Sequence, residues 1–154
     1  MFMKYANIFE EEVKMEKSEK HKWEQCKKMG KEIVNVLSKD FSNGTIDYKM
    51  VFLRKRGIKL FGIFLRYEGL IATISVQDRK EYDEPFVYMD GIETLNESRG
   101  KGLSTKVLDS LSFLTKSNFF KHLNVKDMSG GFWTKMMERY DFIRDKYTTG
   151  FEAG

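Results

Sequence analysis

The sequence is short of the residues that cross-link a chain or hold a metal. Its 154 residues include one cysteine and two histidines. Cys26 therefore has no intrachain disulfide partner, and His21 and His122 offer no spacing for a structural zinc site. No window approaches the roughly 18 uninterrupted apolar residues of a membrane-spanning helix. Met1-Phe2-Met3-Lys4 is followed within a few residues by Glu10-Glu11-Glu12 rather than by the apolar core of a signal peptide, so a cytoplasmic protein is the expectation. Proline occurs once, at Pro85, and nothing of that kind interrupts the helix-forming stretch from Glu10 to Ser38. Internal repeats and low-complexity segments are absent.

What is present suits one domain over 1–154 with a real core. Thirteen phenylalanines bring the aromatic content to 14%, while 32% of residues are charged, a globular profile. The net charge is +4, but Lys and Glu alternate through the N-terminal third and need not form a patch. Nucleic-acid binding would ask for Lys and Arg gathered on one face with base-stacking aromatics. The best cluster, Arg54-Lys55-Arg56 with Lys59, reads as a solvated turn between strands. Neither nucleic acid nor a membrane is an expected partner.

Along the chain, Lys4 to Phe9 reads equally as a short strand or the lead into a helix. Helices are expected over 8–39, in two pieces with a break near Ser18 to His21, because Ser18 to Lys22 offers little to bury. The second piece has an apolar face of Trp23, Cys26, Gly30, Ile33, Val34 and Leu37. Asp40 to Gly44 supplies turn chemistry. An antiparallel meander is predicted over 45–78. Ile46, Tyr48, Met50 and Phe52 alternate on one strand, and Glu68-Gly69 forms a tight turn between Ile58–Tyr67 and Leu70–Gln77. Gln77 to Pro85 is a charged loop. A strand from Phe86 to Leu95 follows, then a helix, a strand from Phe119 to Val125, a short aromatic helix from Phe132 to Tyr140 opened by Ser129-Gly130-Gly131, and a last strand from Phe142. This order, antiparallel first and with a crossover helix later, predicts an α+β or mixed α/β domain. The strands before and after the crossover should be parallel neighbours.

The most informative stretch runs from Phe86 to Ser117. Leu103, Val107, Leu108, Leu111 and Leu114 form one apolar stripe of a 3.6-residue period, so the helix begins just after Arg99-Gly100-Lys101-Gly102-Leu103-Ser104. Glycine lets backbone approach a ligand closely, and a helix start offers unpaired N–H groups and the positive end of a dipole. With Arg99 and Lys101 alongside, that is a recipe for binding a pyrophosphate.

Arg99 to Ser104 resembles the acyl-CoA pyrophosphate loop of the Gcn5-related N-acetyltransferase superfamily, in which Arg or Gln is followed by two residues, Gly, one residue, and Gly or Ala. It lies where that family has it, after the fourth strand and at the start of a long helix, and the order of elements is similar from about Trp23 to Phe142. The resemblance implies a central mixed, mostly antiparallel sheet flanked by helices, with a parallel strand pair splayed at the cofactor cleft. It implies acetyl-CoA in that cleft, held at the pyrophosphate by main-chain amides of Arg99, Gly100, Lys101, Gly102, Leu103, Ser104 and Thr105, and along the pantetheine arm by main chain near Ile92, Glu93, Thr94 and Leu95. A CoA-binding core over 85–128 and a C-terminal helix and strand over 130–154 follow from it. The activity implied is transfer of an acetyl group to a primary amine of a protein or small molecule by direct attack, without an acyl-enzyme; dimerisation follows by analogy.

Such chemistry needs a base, an oxyanion donor and a proton for the leaving thiolate. The base candidates are Glu93, Asp90 and Glu84. In a regular strand Glu84 and Asp90 share a face and Glu93 takes the other, and a bulge would reverse this; Glu93 is favoured for its closeness to the acyl end. The sequence departs from the family at Ser104, where Gly or Ala is usual, and in the short helix. There Met137 or Trp133 falls where the family often has a Tyr, and neither can protonate a thiolate. Tyr140 is the nearest phenol, out of register. Phe132 and Trp133 read as core or cleft-wall aromatics, Trp133 lying against the cofactor, and His122 as structural. The alternative to an enzyme is a weak or inactive module of the same fold acting through protein or nucleic-acid contacts.

Overall fold

A computed structural model describes residues 17–126 and 131–146. The expected element at Lys4–Phe9, the helix material before residue 17, Ser129-Gly130 and the tail after residue 146 lie outside them. The chain is an α+β domain: helix α1 (Lys17–Asp40), strands β1 (Thr45–Leu53), β2 (Ile58–Tyr67), β3 (Leu70–Asp78) and β4 (Phe86–Thr94), helix α2 (Leu103–Lys116), strand β5 (Leu123–Val125), helix α3 (Phe132–Arg139) and strand β6 (Ile143–Asp145). The six strands form one mixed sheet in sequence order. β1 to β4 are an antiparallel meander, and β4–β5 and β5–β6 are parallel. The parallel pair across the α2 crossover is as expected. The second, between β5 and β6, was not foreseen.

The break expected at Ser18–His21 is absent, since α1 runs through it without interruption. The stretch has little that is apolar, but Lys22 does the anchoring. Its ammonium bonds the carbonyls of Arg79 and Tyr82 and lies 3.2 Å from the Asp78 carboxylate. Lys59, expected on a solvated basic turn with Arg54 to Arg56, is instead buried, 3.4 Å from the same carboxylate. The basic cluster is thereby divided, because Arg54–Arg56 form a separate 3₁₀ turn.

α1 packs on β2 and β3 and touches β1 and α2. Trp23, Cys26, Ile33 and Leu37 are buried along its stripe and meet Phe61, Ile63, Leu65, Ala72, Ile74 and Val76 from the sheet. Each Ile, Leu, Val or Phe among them contributes roughly 1.5–3 kcal/mol by leaving water. Gly30 allows the closest approach: a Cβ there would sit 2.3 Å from the Phe61 ring. Burial pushes the Cys26 thiol up to about 12, with the Asp78 charge adding to the effect, so it stays a protonated core residue. α2 lies against α1 and β4, with its stripe buried and Ser110 donating to Asp40 at 2.6 Å.

The β2–β3 turn is the expected tight hairpin, with Glu68 and Gly69 at φ 51° and 102°. It is also a strut. The Leu95 amide donates to the Gly69 carbonyl at 2.9 Å and the Ser98 hydroxyl to the Glu68 carbonyl at 2.5 Å, which pins the segment after β4 to the turn at the head of its neighbour β3. A Cβ on Gly69 would meet Ser98 Oγ at 2.6 Å.

Candidate functional site

β4 and β5 pair only at Val87–Leu123 and Tyr88–Asn124, although β4 continues to Thr94. Beyond Tyr88 the two strands part, so among the described residues Met89 to Thr94 have a sheet partner on the β3 side alone. Their free edge presents main-chain donors and acceptors to an extended ligand, as an unpaired strand edge does. Asn124 holds the fork at its vertex: it is 2% exposed, donates to the Val87 carbonyl at 2.9 Å and accepts from Arg144 Nε at 2.6 Å.

Where β4 ends, the chain makes a 3₁₀ turn at Asn96–Ser98 and enters the glycine loop. Gly100 and Gly102 take φ of 83° and 72°, a region that costs an ordinary residue about 1–2 kcal/mol. Gly102 is the N-cap of α2 and offers no side chain to its first turn, so the amides at the helix start are open to a ligand. The loop closes over a groove of about 520 Å³ lined by Ile92, Glu93, Thr94, Arg99, Gly100, Gly102, Leu103, Ser104, Thr105 and Phe132. Arg99 Nε donates to the Thr94 carbonyl at 3.3 Å. Ser104, the departure from the family pattern, neither caps the helix nor points away, since its hydroxyl is 3.3 Å from that of Thr94. Lys101 is exposed beside the loop and Leu95 beyond β4, and neither lines the groove.

The three carboxylates part company. β4 carries a bulge: Thr73 pairs with Gly91 and Ile74 with Met89, leaving Asp90 as the extra residue. Tyr88, Gly91 and Glu93 face the same side as Ser75, Thr73 and Ile71, and Asp90 bonds Ser75. Asp90 and Glu93 therefore share a face, the reversal a bulge brings, and the regular-strand pairing of Asp90 with Glu84 does not occur. Glu84 precedes β4 in the loop, 3.5 Å from Lys121. Desolvation raises the Asp90 carboxyl to about 6, against the opposing pull of Ser75 and of its own amide. Although the residue keeps open surface, the protein around its carboxyl group penalises the charge. Ser75 is itself placed by a chain of bonds along β3, Arg79 Nη1 donating to Gln77 Oε1 at 3.4 Å and Gln77 Nε2 to Ser75 Oγ at 3.0 Å, all three residues buried.

The aromatic segment is arranged otherwise than expected. Phe132 lines the groove, whereas Trp133 is turned into the core and 7% exposed. In the helix that starts after Gly131, consecutive residues point about 100° apart, so the two rings cannot both face the groove squarely. Tyr140 donates its hydroxyl to Asp109 on α2 at 2.6 Å. Burial, then that bond, raises it to about 12. It ties the end of α3 to α2 and does not line the groove. Sequence reasoning missed Asn124 and Arg144; the available signal was a polar residue inside the apolar triplet Leu123-Asn124-Val125.

Among the described residues no three His, Cys, Asp or Glu side chains group as a metal site, and no helix is long and apolar enough to cross a membrane. Compared with family models, curated proteins and solved structures, the chain matches none.

Proposed function

We propose that the chain is an acetyl-CoA-dependent N-acetyltransferase of the Gcn5-related type, acting on a primary amine. One observation carries this reading: the free edge of β4 leads, through one 3₁₀ turn, into a two-glycine loop and the uncapped start of a 14-residue helix. A ligand with a long amide-bearing arm and a pyrophosphate at its far end would use both at once. Ile92 to Leu95 would pair with the arm, and the amides of Arg99 to Thr105 would hold the phosphates, with Arg99 and Lys101 adding charge. Acetyl-CoA would supply the activated acyl group.

The chain's own part begins with Asp90. A carboxyl titrating near 6 is ionised at neutral pH yet basic enough to relieve an incoming ammonium of its proton. Its place on the bulge, beside the fork, supports it over Glu93 and Glu84 as the base. The unpaired main chain of the same segment offers N–H groups for a developing oxyanion. The departing thiolate would take its proton from the amine or from water in the open groove, because the Thr94, Ser104 and Thr105 hydroxyls lie at the phosphate end and Tyr140 is engaged with Asp109. That last feature favours a second reading, a domain that binds CoA without transferring from it.

Titration calorimetry tests the first step. Acetyl-CoA and CoA should bind at micromolar levels, and an Arg99→Ala, Gly102→Glu variant should lose both. A folded protein that binds neither overturns the proposal. Binding without acetylated product across a panel of primary amines selects the second reading.

A further inference from the structure

A second cavity, of about 420 Å³, lies at the other end of β4, on the sheet face of Tyr88 and Asn124, which Asp90 shares without being part of the lining. One wall is the loop after β3, whose Tyr82 ring stacks on Phe86 at 4.8 Å. The other wall is basic, with His122 and Arg144 beside Asn124 and with Lys146 reaching over to the Tyr82 ring, 4.5 Å from its centroid. Arg144 gives its Nε to buried Asn124, which orients the guanidinium. Its two terminal nitrogens have no protein partner among the described residues. The loop's acids do not neutralise this wall: Glu81 is held by Arg79 at 2.6 Å and Glu84 by Lys121 at 3.5 Å, and Asp83 stays exposed at the rim. His122 reports the resulting field. Burial lowers its pKa first, then Arg144, with Lys121 and Lys146 pulling the same way against Glu84.

A planar guanidinium whose terminal nitrogens have no partner among the described residues is built for a carboxylate. The rim acid disfavours a doubly charged phosphate. Tyr88, Asn124 and Arg144 stand in one row across β4, β5 and β6, with strands about 4.8 Å apart, and Asp90 lies about 6.7 Å further along β4. The Cα atoms of Asp90 and Arg144 are thus about 12 Å apart, and the inward reach of both side chains shortens the gap to the length of a di- or tripeptide.

We propose that this cavity holds the carboxylate end of the acceptor, whose amine then lies at Asp90, so that the substrate class is an amine bearing a carboxylate a few bonds away, a short peptide with a free C-terminus being the simplest case. The assignment rests on the acetyl-transfer reading. It is tested by acetylation rates for matched di- and tripeptides, each as the free acid and as the C-terminal amide, with saturating acetyl-CoA. The acids should be favoured by about tenfold in kcat/KM, as for one charge-assisted contact. Arg144→Gln should bring the acid-to-amide ratio to about one, a ratio taken within the variant so that any change in the fork from the lost bond to Asn124 cancels, and Lys146→Gln, which keeps that bond, should lower it less. Equal rates for acid and amide overturn the proposal, and so does a preference that survives in both variants. If acetyl-CoA itself does not bind, the underlying reading fails, and the cofactor titration shows this before any peptide is added.

Discussion

The two ends of β4 form clefts of opposite construction. At its C-terminal end the groove is made of main chain: an unpaired strand edge, two glycines at positive φ and an uncapped helix start. At its N-terminal end the cavity is made of side chains, Arg144 and His122 with Lys146 against the Tyr82 ring. Asp90 lies on the strand between them. Backbone groups recognise a constant molecule whose amides and phosphates never vary, whereas side chains tune selectivity. On the reading proposed above, the cofactor would take one end and the acceptor the other.

The sharpest test of the contrast is the group between the clefts. Asp90→Asn should slow transfer by about a thousandfold, in the range of a lost general base, with acetyl-CoA affinity intact by calorimetry. The wild-type rate should fall as pH drops below about 6. A raised carboxyl pKa favours the protonated folded state, so its contribution to stability is present at low pH and is lost as pH rises through about 6. The melting temperature of the Asn variant should therefore exceed that of the wild type at pH 8, the gap closing toward pH 4. Ser75→Ala removes the bond that lowers this pKa, so the acid limb of the rate profile should move upward.

Gly102→Glu should break the main-chain end alone, weakening acetyl-CoA by about 100-fold through backbone strain and charge repulsion, with the circular dichroism spectrum unchanged. Gly30→Ala, far from either cleft, should cost about 1–3 kcal/mol in denaturant unfolding, because its Cβ meets the Phe61 ring; both binding functions should survive in the folded fraction. The smallest effect belongs to Tyr140→Phe. Loss of the bond to Asp109 should cost about 1 kcal/mol of stability, with transfer unchanged if the phenol is a tether. A large fall in kcat would instead make it the thiolate's acid.

The groove was the part most legible in sequence, because glycine at a turn and an apolar stripe at helical spacing are local signals. Ile92, Thr94, Arg99, Gly100, Gly102, Leu103, Ser104 and Thr105 all line it. Trp133 and Phe132 could not be told apart, since which of two adjacent aromatics is buried depends on the rotation of α3 against the sheet. Glu93 drew attention by its position along the chain. The advantage of Asp90 comes from a bulge and from Ser75 on the next strand, neither of which leaves a mark in one-dimensional spacing. The unbroken α1 was missed for a similar reason, as the carbonyls that hold Lys22 lie 57 and 60 residues away.

By itself the sequence determined the fold class, the meander with its Glu68-Gly69 turn, the buried stripes of α1 and α2 and the glycine loop, because each follows from the φ/ψ preferences and polarity of neighbouring residues. Tertiary structure alone decided where β4 and β5 part, which carboxylate sits at the fork, and that Lys146 lies over the Tyr82 ring with Arg144 in the same cavity. Those are relations between segments distant in sequence, fixed by strand register and by the burial of charged groups, and register appears only when strands meet.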